Sequence, residues 1–254
     1  MVAKRFCQSE QDLAAGMREW FGQQPGLAYL QQEKAVLHDM LPKLFGYYLI
    51  QLGMAQSLDD AMEECRIGSC LVLGTEKSSA PVRMDAQINI PQLPIATESV
   101  DAVLLPHTLD FSSSPHQVLR EAERILIPDG RIIISGFNPW SVWGLYKLLL
   151  QRKGKVPWCG QFISLYRLQD WLRLLNFSVE ISRPVMYRPP LKSEAMLEKL
   201  MFMEKANPKY FSLVSAGYVV QAVKRVTTFT PIRPRWNKRA KAIRGKLLEP
   251  TTRG

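Results

Sequence analysis

Apolar residues in the first third of the chain recur at the three- and four-residue spacing typical of helices. They are Leu13, Met17, Trp20 and Phe21 in a first segment, then Leu37, Leu41, Leu44, Tyr48 and Ile50 in a second. Pro25 and Gly26 separate the two segments, and Gly53 ends the second. The pattern therefore predicts a helical N-terminal extension over residues 1–67.

The pattern then changes from helical spacing to short apolar runs. Cys70 to Leu73 predicts a buried strand that turns at Gly74, and Ser99 to Leu105 predicts a stronger one. A helix is predicted from Pro115 to Leu126, followed by a strand from Arg131 to Ser135. Strand, helix and strand in this order form a βαβ unit, which makes the two strands parallel. The sequence thus predicts an α/β domain over residues 68–226.

Three further elements complete the predicted domain. An amphipathic helix is expected from Leu165 to Leu175, and Phe177–Ile181 and Gly217–Val223 are expected to be the last strands, as an antiparallel edge pair.

The charge of the chain is concentrated at its C-terminal end. The net charge is +10, but residues 222–254 hold ten Lys or Arg and one acid, a net charge of +9. The rest of the chain is nearly neutral. Residues 227–254 also lose the apolar periodicity, which predicts a disordered basic tail. Such a tail could make weak, non-specific contacts with nucleic acid or an anionic membrane.

Composition narrows the class of protein further. With 254 residues and 46% hydrophobic content, the chain suits one main domain. The four cysteines and three histidines lack the spacing of zinc ligands, so we expect reduced thiols and no metal. Neither a transmembrane run nor a secretory signal is evident, which predicts a cytoplasmic location.

A set of motifs between residues 82 and 139 carries a family resemblance. These motifs are Arg83-Met-Asp85, Ser99-Val-Asp-Ala-Val-Leu-Leu-Pro-His-Thr-Leu109, Pro115-His-Gln-Val-Leu-Arg-Glu-Ala-Glu-Arg-Ile-Leu126 and Ile134-Ser-Gly-Phe-Asn-Pro139. Together they resemble the second half of a class I S-adenosylmethionine (SAM) methyltransferase of the ubiquinone/menaquinone-biosynthesis type. The resemblance is closest to the YafS-like bacterial group and extends over roughly residues 40–225.

The resemblance implies a Rossmann-like sheet with helices on both faces and SAM across the carboxyl ends of the strands. Gly74 matches the leading glycine after the first strand, and Asp85 with Ala86 matches the region that meets adenine; Leu105 is also expected near the cofactor. Two departures stand out. The second and third glycines are missing, and only eighteen residues separate Gly74 from Leu93, which predicts a sheet abridged in its first half.

Two further acidic residues lie near these motifs in the sequence. Glu76 is the nearest substitute for the acid that usually meets the ribose hydroxyls. Asp101, within a predicted strand, is expected to hold the structure together rather than to act chemically.

Methyl transfer needs placement and a dry pocket more than a protein nucleophile. His107, just after a predicted strand, could accept a proton from the acceptor; the alternative is a buried histidine bonded to a loop. Asn138 and Trp140 are expected to line the substrate pocket, although Asn138 equally fits an Asx turn. The Trp-rich segment from Trp140 to Leu150 fits either a lid or interfacial helix, or a helix packed on the sheet.

The resemblance implies a SAM-dependent methyltransferase acting on an unknown small molecule, for which an apolar or quinone/lipid-like acceptor is the natural class. The expected location is the cytoplasm, either free or peripheral to the membrane. The alternative is a catalytically inactive methyltransferase-like module that binds a protein or nucleic-acid partner.

Overall fold

A computed structural model describes residues 10–53, 58, 61–62, 64–74, 83–88, 92–150, 155–191, 193–205 and 214–226. The predicted basic tail, residues 227–254, and Glu76 lie outside this set. In the described part of the chain, the strands are β1 (Phe45–Leu52), β2 (Arg66–Gly74), β3 (Ala86–Gln87), β4 (Val100–Pro106), β5 (Leu126–Phe137), β6 (Phe177–Val185) and β7 (Gly217–Lys224).

Helices alternate with these strands along the chain. They are α1 (Glu10–Phe21), α2 (Gly26–Met40), α3 (Thr108–Phe111), α4 (Pro115–Ile125), α5 (Val142–Leu150), α6 (Leu165–Leu174), α7 (Glu194–Lys199) and α8 (Phe202–Lys205), with a 3-10 turn at Leu41–Lys43. None of the helices in these ranges has the length and apolar character needed to cross a membrane.

The described strands form one sheet in the order β3-β2-β1-β4-β5-β7-β6. The first five in this order are parallel to their neighbours, whereas β7 runs antiparallel between β5 and β6. This is the predicted Rossmann-like sheet, and the antiparallel pair at its end is confirmed. Alternate residues of β4 enter two separate cores: Leu104 packs with α1, α2 and α5, and Leu105 packs with α4 and α6. The domain therefore has three layers.

The predicted assignment of the first strand is wrong. Residues 45–52, assigned to a helix, form β1 at the middle of the sheet, so the segment ending at Gly74 is the second strand. The helical extension predicted over residues 1–67 accordingly includes a sheet strand and the start of the next. The eighteen residues between Gly74 and Leu93 therefore follow the second strand of the sheet. The first strand lies earlier in the chain, as β1.

Two smaller expectations have clear outcomes. Asp101 has the structural role predicted for it, because its Oδ2 accepts hydrogen bonds from the N–H groups of Tyr47 and Tyr48, both at 2.9 Å. Cys159 is disulfide-bonded, so the expectation of reduced thiols is wrong for this residue, whereas Cys65 and Cys70 are free.

Candidate active site

The carboxyl ends of β1 and β4 lie side by side at the point where the strand order reverses. From β1, the chain continues outward to β2 and β3 and then returns to β4 on the other side. Parallel α/β sheets bind ligands in the crevice beyond such a switch point. The residues that follow β1 and β4 are therefore the first place to look for a site.

Gly53 follows β1 and has a backbone conformation that favours glycine. Its φ is +100°, and a Cβ added there would lie 2.5 Å from Thr108 Oγ1. Its N–H donates to Leu73 O at 2.9 Å, and the Thr108 hydroxyl donates to Leu52 O at 2.6 Å. Gly53 thus takes the place after the first strand that sequence analysis gave to Gly74, and it is held against the residue next to His107.

The residues predicted to contact the cofactor have different surroundings. Gly74 ends β2, where an added Cβ would lie 2.6 Å from Met84 Sδ. The Asp85 side chain is 32% exposed; its Oδ2 accepts from Val72 N at 2.8 Å and lies 3.5 Å from Arg83 Nε. Ala86 begins β3 and is exposed, whereas Leu105 is fully buried in the core. Only Asp85 of these four presents an accessible polar side chain.

His107 directly follows β4 and is completely buried. Its φ of 51° is rare for a residue other than glycine, and such outliers are found at functional sites. The imidazole Nδ1 lies 3.0 Å from Asp110 Oδ2, and Nε2 lies 3.4 Å from Glu33 Oε2. Asp110 Oδ2 also accepts from Phe137 N at 2.9 Å, which ties α3 to the end of β5. The ring is therefore positioned between two carboxyl groups.

An aromatic shell encloses this imidazole. The ring centroids of Phe137, Tyr29 and Phe21 lie 4.2, 5.5 and 5.9 Å from that of His107. Trp143 extends the shell from α5, at 5.4 Å from Tyr29. Rings packed in this way exclude water, so charges inside the shell interact more strongly than they would at the surface.

Burial and charge act in opposite directions on the ionisable groups here. Burial alone lowers the pKa of His107, but the Glu33 and Asp110 carboxylates outweigh it and raise that pKa to about 9. Burial raises the pKa of Asp110 despite its bond to His107, and burial with the nearby carboxylates raises that of Tyr29. At neutral pH, His107 is consequently an imidazolium.

We refer to Tyr29, Glu33, His107 and Asp110 as the buried polar cluster. Within the described residues, the Tyr29 hydroxyl, both Glu33 oxygens, His107 Nε2 and Asp110 Oδ1 are buried without a hydrogen-bond partner. Most buried polar atoms in proteins are paired, with protein or with ordered water. Several unpartnered polar atoms around one imidazole are the arrangement expected of a site that receives a polar ligand group.

Sequence reasoning found His107 but not the other members of the cluster. Tyr29 and Glu33 are one helical turn apart on α2, and Asp110 is three residues beyond His107. One signal was present: Glu33 occupies a position of the buried stripe that also contains Tyr29 and Leu37. A carboxylate in such a stripe needs a partner.

The two predicted substrate-pocket residues have contacts of their own. The Asn138 amide donates to Ser215 O at 3.0 Å, and its oxygen accepts from Trp140 N at 3.1 Å, which is the Asx-turn alternative. Trp140 is 77% exposed, whereas the cluster is inaccessible to solvent. A substrate-pocket role for these two residues stays a prediction.

Comparison with known proteins agrees with the resemblance seen in the sequence. Residues 71–134 match the family model described as a methyltransferase domain. The chain is 36% identical over 154 residues to YafS of Escherichia coli, covering 61% of this chain and 62% of that protein. It is 28% identical over 111 residues to a demethylmenaquinone methyltransferase of Chlamydia pneumoniae, covering 42% of each.

The fold is also that of a solved methyltransferase. A SAM-dependent methyltransferase from Thermotoga maritima superposes with a TM-score of 0.61 at 18% identity, covering 85% of this chain and 98% of that one. These matches confirm the resemblance to class I SAM-dependent methyltransferases and the fold predicted from it. The chain spans less than two thirds of the length of the curated relatives it matches, 62% and 42%.

Proposed function

We propose that this protein is a SAM-dependent methyltransferase acting on an apolar, quinone- or lipid-like acceptor. One observation carries the proposal. The Gly53 turn and the buried polar cluster are joined by adjacent residues, since Thr108 lies against Gly53 and His107 precedes it. A cofactor crevice and a shielded reaction site would thus be contiguous.

The residues at the carboxyl edge fit the cofactor. The family has a glycine after the first strand and an acid near the third; here Gly53 follows β1 and Asp85 directly precedes β3, which supports the same roles. Gly53 lets the backbone turn closely, and the partly exposed Asp85 carboxylate could accept a hydrogen bond from adenine. By sequence, Glu76 comes two residues after β2, where the family has its ribose acid, although it lies outside the described residues. When bound, SAM supplies an electrophilic methyl group.

The protein's own residues exclude water from the buried polar cluster and hold the positive charge of His107 in place. Phe21, Phe137 and Trp143 shield the cluster, and Asp110 orients the imidazole through Nδ1. The charged His107 is not ready to accept a proton at neutral pH, so the general-base role first considered for it would operate only above about pH 9. Its more effective role is to stabilise negative charge.

Two features support an apolar acceptor. The shell around His107 is aromatic, and the Chlamydia pneumoniae relative is named for a menaquinone precursor. On the surface, α5 packs through Trp143 and exposes apolar side chains on its opposite face; these are Val142, Leu145, Leu148 and Leu149. In the sequence this helix is followed by Arg152, Lys153 and Lys155. An exposed apolar face on such a helix suits peripheral contact with an anionic membrane that would hold such an acceptor.

The alternative of a non-catalytic module that binds a protein or nucleic-acid partner has one observation in its favour. Thr108 and Met84 lie directly against Gly53 and Gly74, so the carboxyl edge is crowded at both strand ends. A protein that had lost cofactor binding would show such crowding. The two functions differ in whether SAM binds at all.

Calorimetric titration with SAM and S-adenosylhomocysteine separates them. Methyltransferase function predicts binding near micromolar affinity, about −8 kcal/mol, weakened by Asp85→Asn. Asp39→Asn on α2 is the matched control, because Asp39 is an exposed aspartate whose nearest partner is Lys43. No heat with either ligand would favour the non-catalytic module.

A further inference from the structure

Glu33 is an unusual member of the buried polar cluster. It is completely buried on α2, and neither carboxylate oxygen has a hydrogen bond within the described residues. Its closest charged neighbour is His107 Nε2 at 3.4 Å. A buried carboxylate is costly unless it is paired, so one left loosely paired beside a proposed reaction site calls for a functional reason.

The charged and titratable groups around His107 come from four elements. Glu33 and Tyr29 lie on α2 and Asp110 on α3, while Tyr218 on β7 and Lys147 on α5 are coupled to Asp110. Glu33 and Asp110 bear directly on the imidazole. Asp110 Oδ2 is already bonded to Phe137 N, whereas neither Glu33 oxygen has a hydrogen bond within the described residues, so Glu33 is the carboxylate better placed to take a proton.

We infer that Glu33 takes the proton from a hydroxyl group of the acceptor while His107 stabilises the resulting oxyanion, and that the acceptor is therefore a phenol or an enol. This inference rests on the proposed function. The acceptor O–H bond breaks, a new O–H bond forms at Glu33, and the electron pair stays on the acceptor oxygen. With SAM bound, the ionised acceptor would take up the methyl group as the methyl–sulfur bond breaks and S-adenosylhomocysteine leaves.

The imidazolium decides between acceptor classes. A phenol that gives its proton to Glu33 becomes a phenolate, whose negative charge the His107 cation can balance. The net charge of the site is unchanged, because Glu33 becomes neutral as the phenolate forms. An amine acceptor would instead become neutral on losing a proton. The His107 cation, held by two carboxylates, would then have no negative charge on the acceptor to stabilise.

The residues in question also limit access. Because Glu33 and His107 have no exposed surface, an acceptor reaches them only when the side chains that cover them move apart. Phe21 of α1, Tyr29 of α2 and Phe137 of β5 are the rings that cover His107.

A chromophoric phenol tests the inference without methyl transfer. The probe is 4-nitrophenol, whose absorption spectrum distinguishes the phenolate from the neutral phenol, at a pH where the free compound is mostly neutral. Wild-type protein should bind it as the phenolate. Glu33→Gln should bind it with a ratio of ionised to neutral phenol that is lower by roughly tenfold, one pKa unit. Glu19→Gln on α1 is the matched control and should behave as wild type, since Glu19 is exposed.

Three results would overturn the inference: no binding of the phenol to wild type, binding in the neutral form, or equal ionised fractions in wild type and Glu33→Gln. If Glu33→Gln does not fold, Glu33→Asp replaces it, because this variant keeps the carboxylate but withdraws it by one methylene. If Glu33→Asp binds 4-nitrophenol with the same ionised fraction as wild type, the assignment is overturned. SAM binding, measured by calorimetry on the same variants, should be unchanged. If the wild-type protein does not bind SAM, the proposed function is overturned instead.

Discussion

His107 Nε2 and Glu33 Oε2 face each other at 3.4 Å, and both side chains are completely buried. The pair connects the end of β4 with a helix that comes before the sheet in the chain. Together with Asp110 on the other ring nitrogen, it keeps a cation inside an aromatic shell.

The first prediction concerns the protonation of His107. Because two carboxylates flank the ring, we expect its pKa near 9, and Glu33→Gln should lower it by removing one of them. Histidine NMR titration measures this directly, since the chain has three histidines, His38, His107 and His116. His38, paired with Glu64, and His116, against Trp171, are the internal controls. A His107 pKa near 6.5 in wild type would contradict the ion pair.

Stability should also depend on pH through His107. Its folded pKa of about 9 exceeds the ordinary value of 6.5, so its stabilising contribution is fully present below pH 6.5 and is lost as pH rises through 9. The loss should approach about 3 kcal/mol. Urea unfolding of wild type and His107→Asn at several pH values measures it; asparagine tolerates the left-handed φ of this position. If the free energy of unfolding changes with pH in the same way in both proteins, His107 does not make this contribution to stability.

Gly53→Ala should both destabilise the fold and weaken SAM binding. The added Cβ would meet Thr108 Oγ1 at 2.5 Å, in a conformation with φ of +100°, so we expect a loss of about 1–3 kcal/mol. Gly68→Ala in β2 is the matched control, because a Cβ there meets only Tyr47 O at 3.6 Å. Thermal unfolding and calorimetry measure the two effects. Equal behaviour of the two variants would remove Gly53 from the proposed cofactor site.

The exposed face of α5 predicts binding to anionic vesicles. Leu145→Glu with Leu148→Glu should abolish co-flotation, because both side chains lie on that face. Leu174→Glu on α6 is the control, since Leu174 is an exposed leucine on another helix. Equal flotation of all three proteins would argue against α5 as the contact. Equal binding to neutral vesicles would exclude an electrostatic component.

The fold was predictable where periodicity matched burial. In β4, and again in residues 131–137 of β5, every residue but one is buried, and continuous apolar runs predicted both strands. In β1, exposed Phe45, Tyr47 and Tyr48 come before four buried residues, so burial does not alternate along this strand. The helical spacing of Leu37, Leu41 and Leu44 simply continued into it. Pro42 lies in the 3-10 turn, and a proline at this position indicates that the helix ends there.

The site was predictable only as far as local sequence reaches. His107 follows a recognisable strand, so its position at the carboxyl edge could be predicted. Its pairing with Glu33 spans more than seventy residues and depends on how α2 packs against the sheet, which no local pattern encodes. The misplaced first strand also moved the expected glycine from Gly53 to Gly74.

A crystal structure with S-adenosylhomocysteine tests the central claim most directly. We predict the adenosyl group at the carboxyl edge of the sheet, beside Gly53 and Asp85, with the sulfur toward His107. A nucleoside bound anywhere else, or an edge that remains closed by Thr108 and Met84 at saturating ligand, would contradict the account.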